Sequence, residues 1–162
     1  MSVFLSHDWG LGDVNHKRVA RINTQLKAAG IKTWFNEERM RGNVNKTMAK
    51  GVEGAAAVVA FITKRYIEKA SGESPQGEND NCYFEMNLVL NTPHLGVEKV
   101  IVVVMEPGMK AQGAWPSGTI KGKLCGKLHI DLTADEDAAF DSNMKALVAE
   151  IREVLPPGRV AV

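Results

Sequence analysis

The sequence predicts a three-layer α/β domain, with a five-stranded parallel sheet flanked on both faces by helices. Three observations carry that expectation. Short apolar runs alternate with stretches of helical period from one end of the chain to the other. Two of the runs, residues 56–62 and 100–104, are apolar throughout, as in strands covered on both faces. No internal repeat or domain-sized linker breaks the alternation.

Taken in order, Val3, Phe4 and Leu5 followed by Ser6, His7 and Asp8 read as a buried first strand ending in a polar loop. Val19, Ile22, Leu26 and Ala29 fall at helical spacing, and Gly30 stops that helix. Residues 31–35, with β-branched and aromatic side chains, form the second strand. A charged connection over 36–43 ends in a turn signal, and a helix over 45–53 stops at Gly54 before the third strand, 56–62. A helical turn around Tyr66 and Ile67 leads into a Ser-, Gly-, Pro- and Asn-rich loop over 71–79, whose first eight residues are expected to be mobile and to gate the cleft before Glu85. Asp80 suits the N-cap of a helix carrying Phe84 and Leu88. Residues 99–105 hold the strongest strand signal, a Gly/Pro-rich stretch covers 107–118, and 127–132 form the last strand. Phe140, Met144, Leu147, Val148 and Ile151 mark a closing amphipathic helix, ended by Pro156 and Pro157. The domain spans 1–156, with 157–162 as a tail. This is the flavodoxin-like, doubly wound arrangement, which binds ligands at the carboxyl ends of its strands.

Composition narrows the function. A chain of 162 residues buries a core unaided, and a net charge of +1 with scattered basic residues gives no electrostatic grip on nucleic acid. Lys121 and Lys123 read as a solvated loop cluster. Cys82 and Cys125 make neither a disulfide framework nor a CxxC site, which fits a reducing compartment. No signal-peptide core or membrane-length apolar run is visible, so a cytoplasmic address is expected, without membrane contact. His7, His16, His94 and His129 lack ligand spacing, and no metal is expected. A phospho-receiver of this fold needs an Asp after the third strand and a Lys after the fifth. Here the third ends Phe61-Ile62-Thr63-Lys64 and the fifth approaches Asp131. A glycine-rich phosphate loop is also missing.

Several segments, in the right order, resemble a TIR (Toll/interleukin-1 receptor) domain, and together they cover nearly the whole chain. Val3-Phe4-Leu5-Ser6-His7 resembles the family's first-strand box. The run from Trp34 to Asn43 is similar to the edge of the second strand and the BB loop. Gly51-Val52-Glu53-Gly54-Ala55, with Val58 to Tyr66, resembles the passage from helix B to strand C. Asn81-Cys82-Tyr83-Phe84-Glu85 resembles the Trp-Cys-x-x-Glu helix start of plant and enzymatic TIR domains, and Glu106 to Pro116 resembles the loop after strand D. One departure stands out. The family's Trp is Asn81 here, and Tyr83 and Trp9 are the aromatic residues that would replace it.

The resemblance implies NAD⁺ as substrate, no cofactor, and Glu85 as the catalytic acid. Spacing alone leaves Glu85 a solvent-facing carboxylate near a helix N-terminus. The chemistry fits the first role: nicotinamide leaves as a neutral group from a cationic precursor, so one carboxylate that stabilises an oxocarbenium-like ribose suffices. Strand-end logic adds Ser6, His7, Asp8 and Trp9 to the substrate site, with His7 alternatively a hydrogen-bonded structural histidine. Trp34, Phe35 and Asn36 stand at the next strand end, where the aromatics serve the site or the core. Tyr83 joins the site beside Glu85, and Trp115 stacks on adenine or packs its own loop. Arg39 and Arg41 meet a pyrophosphate, an acidic face of another TIR domain, or solvent. Cys82 is redox-sensitive or buried and inert. The resemblance also implies homotypic TIR–TIR self-association through Glu38, Arg39, Met40, Arg41, Gly42 and Asn43, and a non-enzymatic adaptor as the alternative function.

Overall fold

A computed structural model of the chain describes residues 2–35 and 44–156. Among these, five strands form one sheet: β1 (Ser2–Ser6), β2 (Thr33–Trp34), β3 (Ala55–Ile62), β4 (Val100–Val104) and β5 (His129–Asp131). The helices are α1 (Val14–Ala28), α2 (Val44–Glu53), α3 (Lys64–Ala70), α4 (Asn81–Asn91), α5 (Thr119–Leu124) and α6 (Asp137–Val154). All strand pairs are parallel, in the order β2-β1-β3-β4-β5. The order reverses between β1 and β3, where open sheets of this kind form a crevice beyond the strand ends.

The period-2 alternation of strand side chains divides the core into two layers. Phe4, Val58, Ala60, Ile62, Val102 and Val104 face Val52, Tyr66, Ile67, Met86, Val89 and Ile120, from helices α2 to α5. Val3, Leu5, Val59, Phe61, Ile101 and Val103 face Val19, Ile22 and Leu26 of α1 and Phe140, Leu147 and Ile151 of α6. Every residue of β3 is buried, because it is central and covered on both faces. The register places Ser6 of β1 beside Ala60 of β3.

Gly30, at φ 84°, ends the first helical segment as expected, and its amide donates to the Lys27 carbonyl. The second strand is shorter than its β-rich sequence suggests. The Ile31 amide turns back to the Leu26 carbonyl, so the edge ladder starts only at Thr33. The turn expected at Tyr66 is the full helix α3, capped by Thr63, whose side chain accepts from the Tyr66 amide. Residues 119–124, which carry the Lys121–Lys123 cluster, are helical rather than loop. Ile120 and Leu124 give that short helix a buried edge too narrow to stand out as a periodic pattern.

Arg18 ties α1 to the far strands. Its guanidinium donates to the carbonyls of Met105 (2.7 Å) and Leu132 (2.9 Å), just past β4 and β5, and pairs with Asp135 at 2.9 Å. The ends of β4 and β5 are thereby bridged to α1.

Gly51 of α2 lies against the Trp34 ring, and an added Cβ would stand 2.6 Å and 2.7 Å from indole atoms. Alanine normally favours a helix over glycine, yet here the rigid ring must move. Gly51→Ala is expected to lower stability by roughly 1–3 kcal/mol, read from the urea midpoint. An unchanged or higher midpoint would mean that the indole yields freely.

Candidate active site

The strand alternation that builds the core continues past the end of β1 and separates two polar clusters. Ser6 falls on the α3/α4 side and His7 on the α1 side. The fully buried Ser6 hydroxyl lies 2.7 Å from the Tyr66 phenol oxygen, also fully buried, and donates to Glu85 Oε1 at 3.0 Å. Glu85 is only 6 % exposed, so it is not the solvent-facing residue that helix spacing allows. Burial pushes its carboxyl from the usual 4.5 up to about 8. The Ser6 hydrogen bond opposes that rise, nearby Asp80 adds to it, and Lys69 counters it.

The helix that carries Glu85 is fixed at its first turn. Asp80 caps α4 through the Cys82 amide at 2.8 Å. Its other oxygen accepts from Lys69 at 2.8 Å and from Ser74 at 3.0 Å. Lys69 also stands 3.9 Å from Asp8, which pairs with Arg65 at 2.9 Å. Burial works against the Lys69 charge, but the Asp80 hydrogen bond and the two carboxylates hold its pKa above the ordinary value. Asp8 is therefore a brace between β1 and α3, and Ser74 draws the 71–79 loop onto the start of α4. Cys82 is buried, its Sγ 3.8 Å from the His7 carbonyl. Burial, then Glu85 and Asp80, push its thiol well above the usual range, which makes it the inert form.

On the α1 side, the His7 Nε2 and His16 Nδ1 atoms are 2.8 Å apart in a direct imidazole pair. Phe35 lies nearly parallel to both rings, and Trp9 stacks on His16 with centroids 3.7 Å apart. Burial and then His16 lower the His7 pKa to about 4, so His7 is neutral at physiological pH. Of the two readings of His7, the geometry is that of the hydrogen-bonded structural histidine. Trp9, half-buried, stands in the loop leading away from Ser6.

Other predicted residues are placed differently. Trp34 packs on Gly51, its Nε1 without a hydrogen-bond partner among the described residues, in the core layer that also holds Tyr66. Trp115 is 2 % exposed, donates to the Met109 carbonyl and lies parallel to His129, so its ring is committed to packing and presents no face for adenine. Tyr83, half-buried, covers Gly72 and reaches Glu78 at 3.4 Å. Asn81 is exposed. Asn36 and the proposed association segment, Glu38, Arg39, Met40, Arg41, Gly42 and Asn43, lie outside the described residues. Tyr66, Arg65 and Lys69 were not among the site residues that the sequence suggested. The available signal was their position in the first turns after β3, at the same rim as Ser6. Among the described residues no grouping of His, Cys, Asp and Glu could hold a metal ion, and no helix is long and apolar enough to cross a membrane.

A doubly wound domain with a buried acid beside its switch point is the class of protein that fold and site define. Residues 3–148 match the family described as TIR domain, and the chain belongs to that family. Its fold is similar to a crystal structure of a prokaryotic SEFIR domain, with a TM-score of 0.65 and 18 % identity, covering 93 % of this chain and 97 % of that one. A comparison with curated proteins finds no match.

The raised Glu85 pKa has a direct consequence for stability. Folding favours the neutral acid, so this contribution is complete below about pH 4.5 and is lost as pH rises through about 8. Glu85→Gln, neutral at every pH, is expected to equal the parent protein near pH 4.5 and to exceed it above pH 8, by on the order of 3–5 kcal/mol. Thermal melts of both proteins across this range check the prediction. Parallel curves would mean that the acid is already solvated in the folded state.

Proposed function

We propose that this TIR domain cleaves NAD⁺ at the nicotinamide–ribose bond, giving nicotinamide and ADP-ribose or a cyclic isomer. The observation that carries the reading is Glu85: a desolvated carboxyl, held by Ser6 at the end of β1, where the fold places its ligands. In the hydrolytic reaction, the C–N electron pair leaves with neutral nicotinamide, water adds to the ribose carbon, and one proton is released. Cyclisation differs only in the nucleophile, a ring nitrogen of the same substrate. No metal or cofactor is required, because the substrate brings the positive charge.

The high pKa of Glu85 suits this chemistry. A cation arriving about 4 Å away interacts with a carboxylate by roughly 4 kcal/mol at an effective dielectric of 20. That is enough to bring a group titrating at about 8 down to about 5. The acid is then ionised when the cationic substrate binds, in a site where little water competes for it. Trp9 and Tyr83, the half-buried aromatics flanking Ser6 and Glu85 in sequence, take the place of the family Trp absent at Asn81.

A second reading is a non-enzymatic scaffold acting by homotypic TIR–TIR association, and Asn81 is the feature that favours it. The two readings separate on incubation of the purified protein with NAD⁺, at high concentration and under crowding, with chromatographic detection of nicotinamide. The enzyme reading expects release that falls at least about 100-fold in Glu85→Gln. Release insensitive to that substitution, or none at all, leaves the scaffold.

A further inference from the structure

We infer that Tyr66 is a positioning residue for Glu85, acting through Ser6: its phenol proton fixes the direction of the Ser6 hydroxyl and so sets the acid's readiness to ionise. The inference deepens the proposed NAD⁺-cleaving site and names a residue that controls it.

The number of protons available decides which way the hydrogen bonds run. Tyr66 Oη, Ser6 Oγ and Glu85 Oε1 form a chain with links of 2.7 Å and 3.0 Å, and both hydroxyls are fully buried. Among the described residues, Ser6 is the one hydrogen-bond partner of the Tyr66 phenol oxygen. A buried phenol proton without an acceptor is costly, so Tyr66 donates to Ser6. Ser6 then turns its own proton to Glu85, and that direction suits the carboxylate, which only accepts. The neutral acid can still accept this proton at its carbonyl oxygen, but more weakly than the carboxylate, and donating to Ser6 instead would turn Ser6 towards Tyr66 and strand the phenol proton. Tyr66 therefore penalises the protonated acid, in opposition to the desolvation that favours it. Burial keeps the Tyr66 phenol from ionising, so it stays a donor throughout the working range.

Other charged and titratable groups face Glu85 from the elements around it. Lys69 comes from α3, Asp80 from the cap of α4, and Cys82 from its first turn. None of them bonds to Ser6, so a change confined to the Tyr66 hydroxyl leaves their contribution in place.

The experiment is a pair of pH titrations on Tyr66→Phe, Ser6→Ala and the double variant. The first follows the Glu85 carboxyl carbon by NMR in the ligand-free protein, assigned by its loss in Glu85→Gln. The second follows kcat/KM for nicotinamide release. Tyr66→Phe is expected to move both midpoints to higher pH by about one unit, with activity recovering above the new midpoint. In the Ser6→Ala background the same substitution is expected to add no further movement, because the link between them is gone. Unmoved midpoints, a uniform loss at every pH, or an equal movement without Ser6 would each overturn the inference. If the NMR midpoint moves while the parent protein releases no nicotinamide, the relay stands and the proposed activity falls.

Discussion

Everything at the rim of this sheet depends on one constraint: a glutamic acid kept out of water must be held by groups that are themselves fixed. Glu85 meets that constraint through Ser6, the last residue of β1, and through a helix whose first turn is pinned by Asp80. Asp80 in turn depends on Lys69, which it shares with Asp8, and Asp8 on Arg65. The charges alternate along this network, so no member is buried without a counter-charge. Removing one partner would leave another uncompensated. The site is thus as rigid as the ionic braces around α3 and the start of α4.

That rigidity carries a thermodynamic cost that fits the proposed chemistry. Desolvation favours the neutral acid, and ionising it works against folding. A cationic ligand reverses the balance, because the same low dielectric that penalises a lone carboxylate strengthens its attraction to positive charge. Strain of this kind is expected where function, rather than stability, has selected a residue. The core has no such conflict: it separates into two apolar layers on either side of a fully buried β3.

How much of this was legible in the sequence follows from the range of each interaction. The strands and their order of appearance were visible, because burial on two faces writes a continuous apolar run, as in β3 and β4. The Asp80 cap was visible because capping acts over two residues. Glu85 and Ser6 entered through motif resemblance and strand-end position, but their mutual hydrogen bond spans 79 positions and leaves no local pattern. Tyr66 was read as part of a helical turn and of a family motif but not as a site residue, since its role depends on a serine 60 residues away. Trp115 could be read two ways, as a ligand-stacking ring or as packing for its own loop, and compact turns around Met109 and Ala114 fold the Gly/Pro-rich stretch back and bury it.

The end of β1 shows how a single strand serves two purposes without a linker. Consecutive residues point to opposite faces, so Ser6 reaches the acid on α4 while His7 locks onto His16 of α1. The imidazole pair suits the second of these roles. It is polar enough to satisfy its own buried nitrogens and flat enough to lie beside Phe35 and Trp9. The stack fixes the chain's departure from the sheet, since the His16 amide also donates to the Trp9 carbonyl at 3.0 Å. Asn15 adds to this by donating to the Asp8 carbonyl at 2.7 Å. These hydrogen bonds tie the loop after Ser6 to the start of α1. The histidine cluster thus anchors the loop that follows Ser6 on the α1 side of the sheet.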